Sequence, residues 1–258
     1  MMKAPLKSLL DSLGYEVKRK APATEFFDIE FDREAHGKIS VVRAHSMLPY
    51  ARLYSLYEQA VYCEQASVRG SFVECGTWKG GAIGLMALAN LAHGASRRDL
   101  HLFDSFEGIP EPDETMDGAR AVHEARAAGS GAQGSLVALR DLYDSAGTLE
   151  VNRALLEETI GYDPGHLHYH QGWFQETLPR EAATAGEIAI LRLDGDWYAS
   201  TKVCLDYLFD RVVDGGFVII DDYGRYDGCR KAVDDFLRRE GIVTYLHRID
   251  NEGRYLIK

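Results

Sequence analysis

The feature that most constrains this chain is a set of short apolar runs, each ending on an acid or a glycine, with helix-patterned segments between them. Ser71–Gly76 (SFVECG), Leu100–Phe103 before Asp104, Glu187–Leu193 before Asp194 and Gly216–Ile220 before Asp221 are apolar rather than alternating. Strands of that texture are covered on both faces, and their alternation with helices predicts a doubly wound, mostly parallel α/β sheet. Ligands bind such sheets at the carboxyl ends of the strands, so the strand-ending acids converge where a site is expected. His166–His170 reads as a further strand, and Thr244–Ile249 with Arg254–Ile257 as a terminal strand pair. Helices are expected over Leu6–Lys18, Leu53–Gln65, Gly80–Ala92, Leu149–Ile160, Thr177–Ala185, Ser200–Arg211 and Cys229–Glu240, and a loop over Phe26–Lys38. The domain reading is an N-terminal helical and lid segment, 1–65, and a core domain, 66–258. Residues 107–148, with an Ala/Gly-rich patch at Ala127–Gly134, read as an insertion over the site edge.

Charge and cysteine usage narrow the function classes. With 29 Lys+Arg against 40 Asp+Glu, a net charge of −11, the chain lacks the clustered cations that nucleic acid or an anionic membrane requires. Its apolar runs are too short for a bilayer span, and its start lacks the apolar core of a signal peptide. Cys63, Cys75, Cys204 and Cys229 have no C-x-x-C spacing, which suggests neither zinc nor disulfides and makes the cytoplasm the expected compartment.

Four constellations carry chemistry. In Val73–Gly81 (VECGTWKGG) a strand-ending acid is followed by a glycine turn and a helix start, which suits an adenosine-containing cofactor or is simply a tight turn. Its glycine spacing is neither G-x-G-x-x-G nor a P-loop. Asp104, ending the next strand before Ser105 and Phe106, stands where ribose hydroxyls are accepted, or caps a helix. Asp194, Asp196, Asp221 and Asp222 crowd two strand ends; unneutralised they repel, and an oxygen-only set suits Mg²⁺ or Mn²⁺. Some of them could instead cap the following helices, Asp196 among them. Gly172-Trp173-Phe174 could flank an adenine ring or be core. His166, His168 and His170 alternate along one strand and read as satisfied strand histidines rather than zinc ligands.

FVECGTWKGG, LFDSFEGIPEPDE, HQGWFQETLP, LRLDGDWYAST and GGFVIIDDYGRYDGCRKAVDDF, covering about residues 45–110 and 149–243, resemble the macrocin O-methyltransferase (TylF-like) family. The resemblance implies a Rossmann-like class I methyltransferase fold, with S-adenosylmethionine and Mg²⁺ as cofactors. It implies that Glu74, Gly76 and Thr77, with Cys75 and Gly81 in the same turn, lie against the cofactor's methionine part. Asp104 would hold the ribose, with Ser105 and Phe106 beside the adenosine, and Gly172, Trp173 and Phe174 would line the adenine pocket. Met47, in His45-Ser46-Met47, would close over the cofactor. Asp194, Asp221 and Asp222 would bind the metal, and Asp196 would be the general base. The expected partner is a small hydroxylated natural product, glycosylated or phenolic, and a homo-oligomer is expected. A haloacid-dehalogenase-type phosphatase fits Asp194-Gly195-Asp196 superficially but leaves Glu74 and Asp104 unexplained. A methyltransferase-like binding protein without turnover is the other alternative.

Overall fold

The computed structural model describes residues 32–127 and 147–258. The expected helix Leu6–Lys18 and nearly all of the Ala/Gly-rich patch lie outside the described residues. The chain divides into two compact units, Met1–Ala35 and His36–Lys258. Of the first, only the opening of helix α1 (Asp32–Val42) is described. Phe26–Lys38 therefore is not a loop throughout. Ile39 and Val42, three residues apart on α1, are buried, and the acids and aromatics upstream mask that spacing in the sequence.

In the second unit, α2 (Tyr50–Gln65) leads to β1 (Ser71–Cys75), α3 (Gly81–His93) and β2 (Leu100–Asp104). Residues 107–148, read from the sequence as an insertion, contain α4 (Gly118–Ala127). Then come α5 (Leu149–Arg153), β3 (Leu167–Gln171), α6 (Phe174–Glu181), β4 (Ile188–Leu193), α7 (Tyr198–Leu208), β5 (Val212–Ile220) and α8 (Asp227–Arg239). A short hairpin, β6 (His247–Arg248) with β7 (Arg254–Ile257), follows. The sheet order is β3-β2-β1-β4-β5-β7-β6. β1 to β5 are parallel, while β7 runs antiparallel to β5 and β6 antiparallel to β7. This is the mostly parallel, Rossmann-like sheet expected, and the terminal strand pair forms its antiparallel end. The first strand of the terminal pair is shorter than Thr244–Ile249, because Val243 and Tyr245 are exposed and β7 offers β6 only two partners. The helix expected over Leu149–Ile160 relaxes into a π turn at Ala154–Thr159.

Strand parity assigns the two faces. Val73 and Cys75 of β1, Leu191 and Leu193 of β4, and Val218 and Ile220 of β5 share a core with Leu178 of α6, Leu208 of α7 and Phe236 of α8. The residues between them face the other way. That opposite face meets α2, where Tyr62 packs edge-on against Phe217, and α3, whose Ile83 N–H reaches Glu74.

Candidate active site

Parity also builds the charge cluster. Glu74 and Arg192 fall on the face under α2 and α3, and the register sets them side by side. Asp194 lies two residues beyond Arg192, and Asp221 two beyond its partner Ile219, so both continue that face. Arg192 is only 2% exposed; it donates to Glu74 Oε1 at 2.5 Å, Asp194 Oδ2 at 2.9 Å and Asp221 Oδ1 at 2.8 Å. The other oxygen of Glu74 accepts the Ile83 N–H at 2.9 Å, in the first turn of α3 where the helix dipole favours an anion. Burial pushes the Glu74 carboxyl up to about 8, with Arg192 opposing. From α2, Arg52 donates to Asp221 Oδ2 at 2.6 Å, Asp250 Oδ2 at 2.8 Å and Glu252 Oε2 at 2.5 Å.

Carboxylate oxygens of Asp194, Asp221 and Asp222 lie within 4.8 Å of one another. Asp222 is buried, and its Oδ2 has no hydrogen-bond partner. A carboxylate oxygen buried without a partner beside two more carboxylates is costly to keep away from water and is what a hard divalent cation satisfies. Arg192 and Arg52 offset part of the negative charge, so repulsion alone is a weaker argument for a metal than the sequence suggested. Asp196 lies beside the cluster. Burial, then Asp194 and Asp221, hold its carboxyl well above the usual range. It does not cap α7; the Tyr198 N–H there is accepted by Asp117 Oδ1 at 2.7 Å.

Two cavities open at this strand edge. The larger, about 250 Å³, is lined by His45, Met47, Glu74, Thr77, Trp78 and Arg225 together with the acids. The smaller, about 40 Å³, is lined by Gly76, Asp104, Ser105, Gly172, Trp173 and Phe174. Asp194 and Asp196 line both. Met47 sits half exposed at the rim. Cys75 and Gly81 line neither: Cys75 is in the core, and Gly81 is pressed against the His45 carbonyl, where a Cβ would collide. Gly76, at φ +88°, likewise leaves no room for a Cβ before the Asp194 carbonyl. Gly81 therefore lets protein segments approach one another, and Gly76 does so while also lining the smaller cavity. Phe106 is buried at φ +55° and lines neither cavity. Asp104 ties the β1–α3 turn: its Oδ2 accepts the Thr77 N–H at 2.6 Å and the Trp78 N–H at 3.2 Å, while among the described residues Oδ1 accepts only the Phe106 N–H, at 2.7 Å. Trp78, Phe106 and Asp196 all have positive φ, so uncommon backbone gathers at the turns after β1, β2 and β4.

The strand histidines are satisfied. His166 and His168 meet Asp99, and His170 meets Glu181. Sequence reasoning missed Arg52, Arg192, Arg225 and the insertion's Asp117 and Glu124. Of these only Arg192 had a signal, a lone cation inside an apolar strand two residues before Asp194.

A Rossmann-like sheet thus carries an acidic, two-chambered candidate site at the carboxyl ends of β1 to β5, the fold class to which methyltransferases belong. The family model described as macrocin-O-methyltransferase (TylF) matches residues 4–258, and the chain belongs to that family of O-methyltransferases. Among its relatives is the 8-demethyl-8-(2,3-dimethoxy-alpha-L-rhamnosyl)-tetracenomycin-C 4'-O-methyltransferase of Streptomyces olivaceus, 35% identical over 96% of this chain and 88% of that protein. Another is the mycinamicin III 3''-O-methyltransferase of Micromonospora griseorubida, 32% identical over 90% of this chain and 85% of that protein. The solved structure of the O-methyltransferase NovP aligns with a TM-score of 0.68 at 30% identity, covering 83% of this chain and 82% of that one. Among the described residues, no helix is long and apolar enough to cross a membrane.

Proposed function

We propose that this enzyme transfers a methyl group from S-adenosylmethionine to a hydroxyl of a sugar or phenolic ring on a natural product, with Mg²⁺ held by Asp194, Asp221 and Asp222. The observation that carries the reading is the meeting of the two cavities at Asp194 and Asp196. The smaller, with an aromatic pair and Asp104, suits an adenosine; the larger, ringed by charged groups, suits an oxygen-rich acceptor. The name of one relative, a methyltransferase of a rhamnosyl-tetracenomycin, supports a glycosylated acceptor.

When bound, S-adenosylmethionine supplies a methyl group already activated on a sulfonium, and Mg²⁺ supplies positive charge that favours the deprotonated acceptor oxygen. The protein's own task is to bind, align and move a proton. Asp104 Oδ1, with one backbone donor, keeps capacity for a ribose hydroxyl while Oδ2 holds the turn. Glu74 and Thr77 lie on the methionine side, and Met47 at the rim covers it. Asp196 accepts the acceptor's hydroxyl proton on its carboxylate. Alignment of this kind supplies several kcal/mol of barrier reduction. The test is transfer of a labelled methyl group from S-adenosylmethionine to a panel of glycosylated and phenolic natural products, with Mg²⁺ and then with EDTA. Turnover that EDTA abolishes and Mg²⁺ restores is expected, with cofactor binding retained in EDTA. Full turnover in chelator rejects the metal, and no transfer to any acceptor rejects the activity.

A further inference from the structure

Asp194, Asp221 and Asp222 are not equivalent. Asp222 Oδ2 has no partner, Asp194 shares one oxygen with Arg192, and Asp221 has both oxygens on guanidinium groups, Oδ1 on Arg192 and Oδ2 on Arg52. Arg52 comes from a helix outside the strand motifs and uses each of its three nitrogens on a different carboxylate: Nη1 on Asp221, Nε on Asp250, Nη2 on Glu252. Only 7% of it is exposed. The β6–β7 turn that grips it is itself pinned. Asp250 Oδ1 accepts the Glu252 and Gly253 N–H groups at 2.8 and 2.7 Å, and the Glu252 carbonyl accepts the Gly224 N–H at 2.8 Å, just after Asp222. Arg225 donates to the other oxygen of Glu252 at 3.3 Å. Arg52 is thus a positive charge seated on one candidate metal ligand and held there by three ion pairs, at the wall of the larger cavity.

We propose that Arg52 is a positioning residue that sets how tightly this carboxylate cluster holds a divalent cation, because it competes with the cation for Asp221. The proposal rests on the metal reading given above. A cation drawn to the open side of Asp194 and Asp222 shares Asp221 with two guanidinium groups, and like charges at that range repel strongly in a water-poor site. The hairpin carboxylates hold Arg52 in its seat, so the hairpin tunes the affinity of a site to which it contributes no ligand. A lysine cannot reproduce the grip, since it offers a point charge rather than a three-way fork.

Mn²⁺ titration followed by electron paramagnetic resonance, at pH 8 and without cofactor or acceptor, tests this on the full chain. D222N is expected to lose Mn²⁺ binding; if it binds like the unsubstituted enzyme, the metal reading fails and the fate of Arg52 is not the reason. With that control met, R52Q is expected to bind Mn²⁺ more tightly, on the order of tenfold, the effect of removing one close like charge. Equal or weaker binding by folded R52Q overturns the proposal. Should R52Q not fold, R52K decides: it keeps the charge but cannot grip Asp221 and the hairpin together, so Mn²⁺ binding tightens a few-fold, on the order of threefold. Unchanged or weaker binding by R52K overturns the proposal as well.

Discussion

Asp196 separates the candidate base from its surroundings at the scale of one side chain. Its backbone, at φ +58°, is one that Asp and Asn tolerate better than other side-chain-bearing residues. Asp196→Asn therefore changes the charge and leaves the turn intact, whereas Asp196→Ala confounds the two. Asp196 makes no capping bond, because Trp197 is the N-cap residue of α7 and the first N–H of that helix goes to Asp117. The Asn variant is expected to lose about 10²–10⁴-fold in kcat, the range for general-base catalysis, with cofactor affinity unchanged. Rate measurement at saturating Mg²⁺ with calorimetry of cofactor binding checks this. A near-normal kcat rejects Asp196 as the base, and rescue by excess Mg²⁺ makes it a metal ligand instead.

At the scale of the element, the β2–β3 edge carries a buried histidine stack with a pH signature. His101 is 1% exposed, lies on His170 with ring centroids 5.2 Å apart, and shares a 2.9 Å contact from its Nδ1 to His170 Nε2. Burial, then the neighbouring His168 and His170, lower its imidazole to about 3, with Asp99 opposing. The unfolded chain protonates the same ring near 6.5, so between those values the unfolded state binds the extra proton and folding loses stability as pH falls. Denaturation at pH 7.5 and 5 should show a loss of up to about 2 kcal/mol from this group, and His101→Gln should shrink the difference. An unchanged difference means that the ring is already protonated or free to leave the core. Away from this edge, in the middle of the sheet, the fold was legible in the sequence. The strands were readable because β1 and β4 are buried along their whole length, which demands continuous apolar runs. The acids were readable because each ends such a run. Arg52 was not, because it bonds Asp221 across 169 residues from a helix whose own pattern is ordinary. Gly76 and Gly81 were readable as special, and distant chain crowds both, the Asp194 carbonyl at Gly76 and the His45 carbonyl at Gly81.

At the scale of the whole second unit, the insertion is structurally part of the site. Its leading half ties down both turns that carry the acids. The Pro110 carbonyl accepts the Trp197 Nε1–H at 2.7 Å and Asp117 accepts the Tyr198 N–H, just after Asp196. Glu124 accepts the Tyr226 hydroxyl at 2.6 Å and Arg225 Nη2 at 3.1 Å, just after Asp222. Pro110 belongs to the wall of the smaller cavity where an adenosine fits, whereas Glu124 and its partners Arg225 and Tyr226 do not. Glu124→Ala should therefore loosen the turn beyond Asp222 and lower kcat by about 10–100-fold, because small misplacements near reacting groups are that costly. Cofactor affinity should hold within about twofold, a free-energy change below roughly 0.5 kcal/mol. The variant should also lose roughly 1.5–3 kcal/mol of stability, the cost of removing a charged hydrogen-bond acceptor. Glu124→Gln, which can still accept from Tyr226, should fall between the two. Measuring kcat, cofactor affinity by calorimetry and denaturation midpoint on both variants separates a local from a general effect. If affinity falls in step with kcat, the two chambers are one cooperative unit and the insertion supports the entire strand edge rather than its acceptor side.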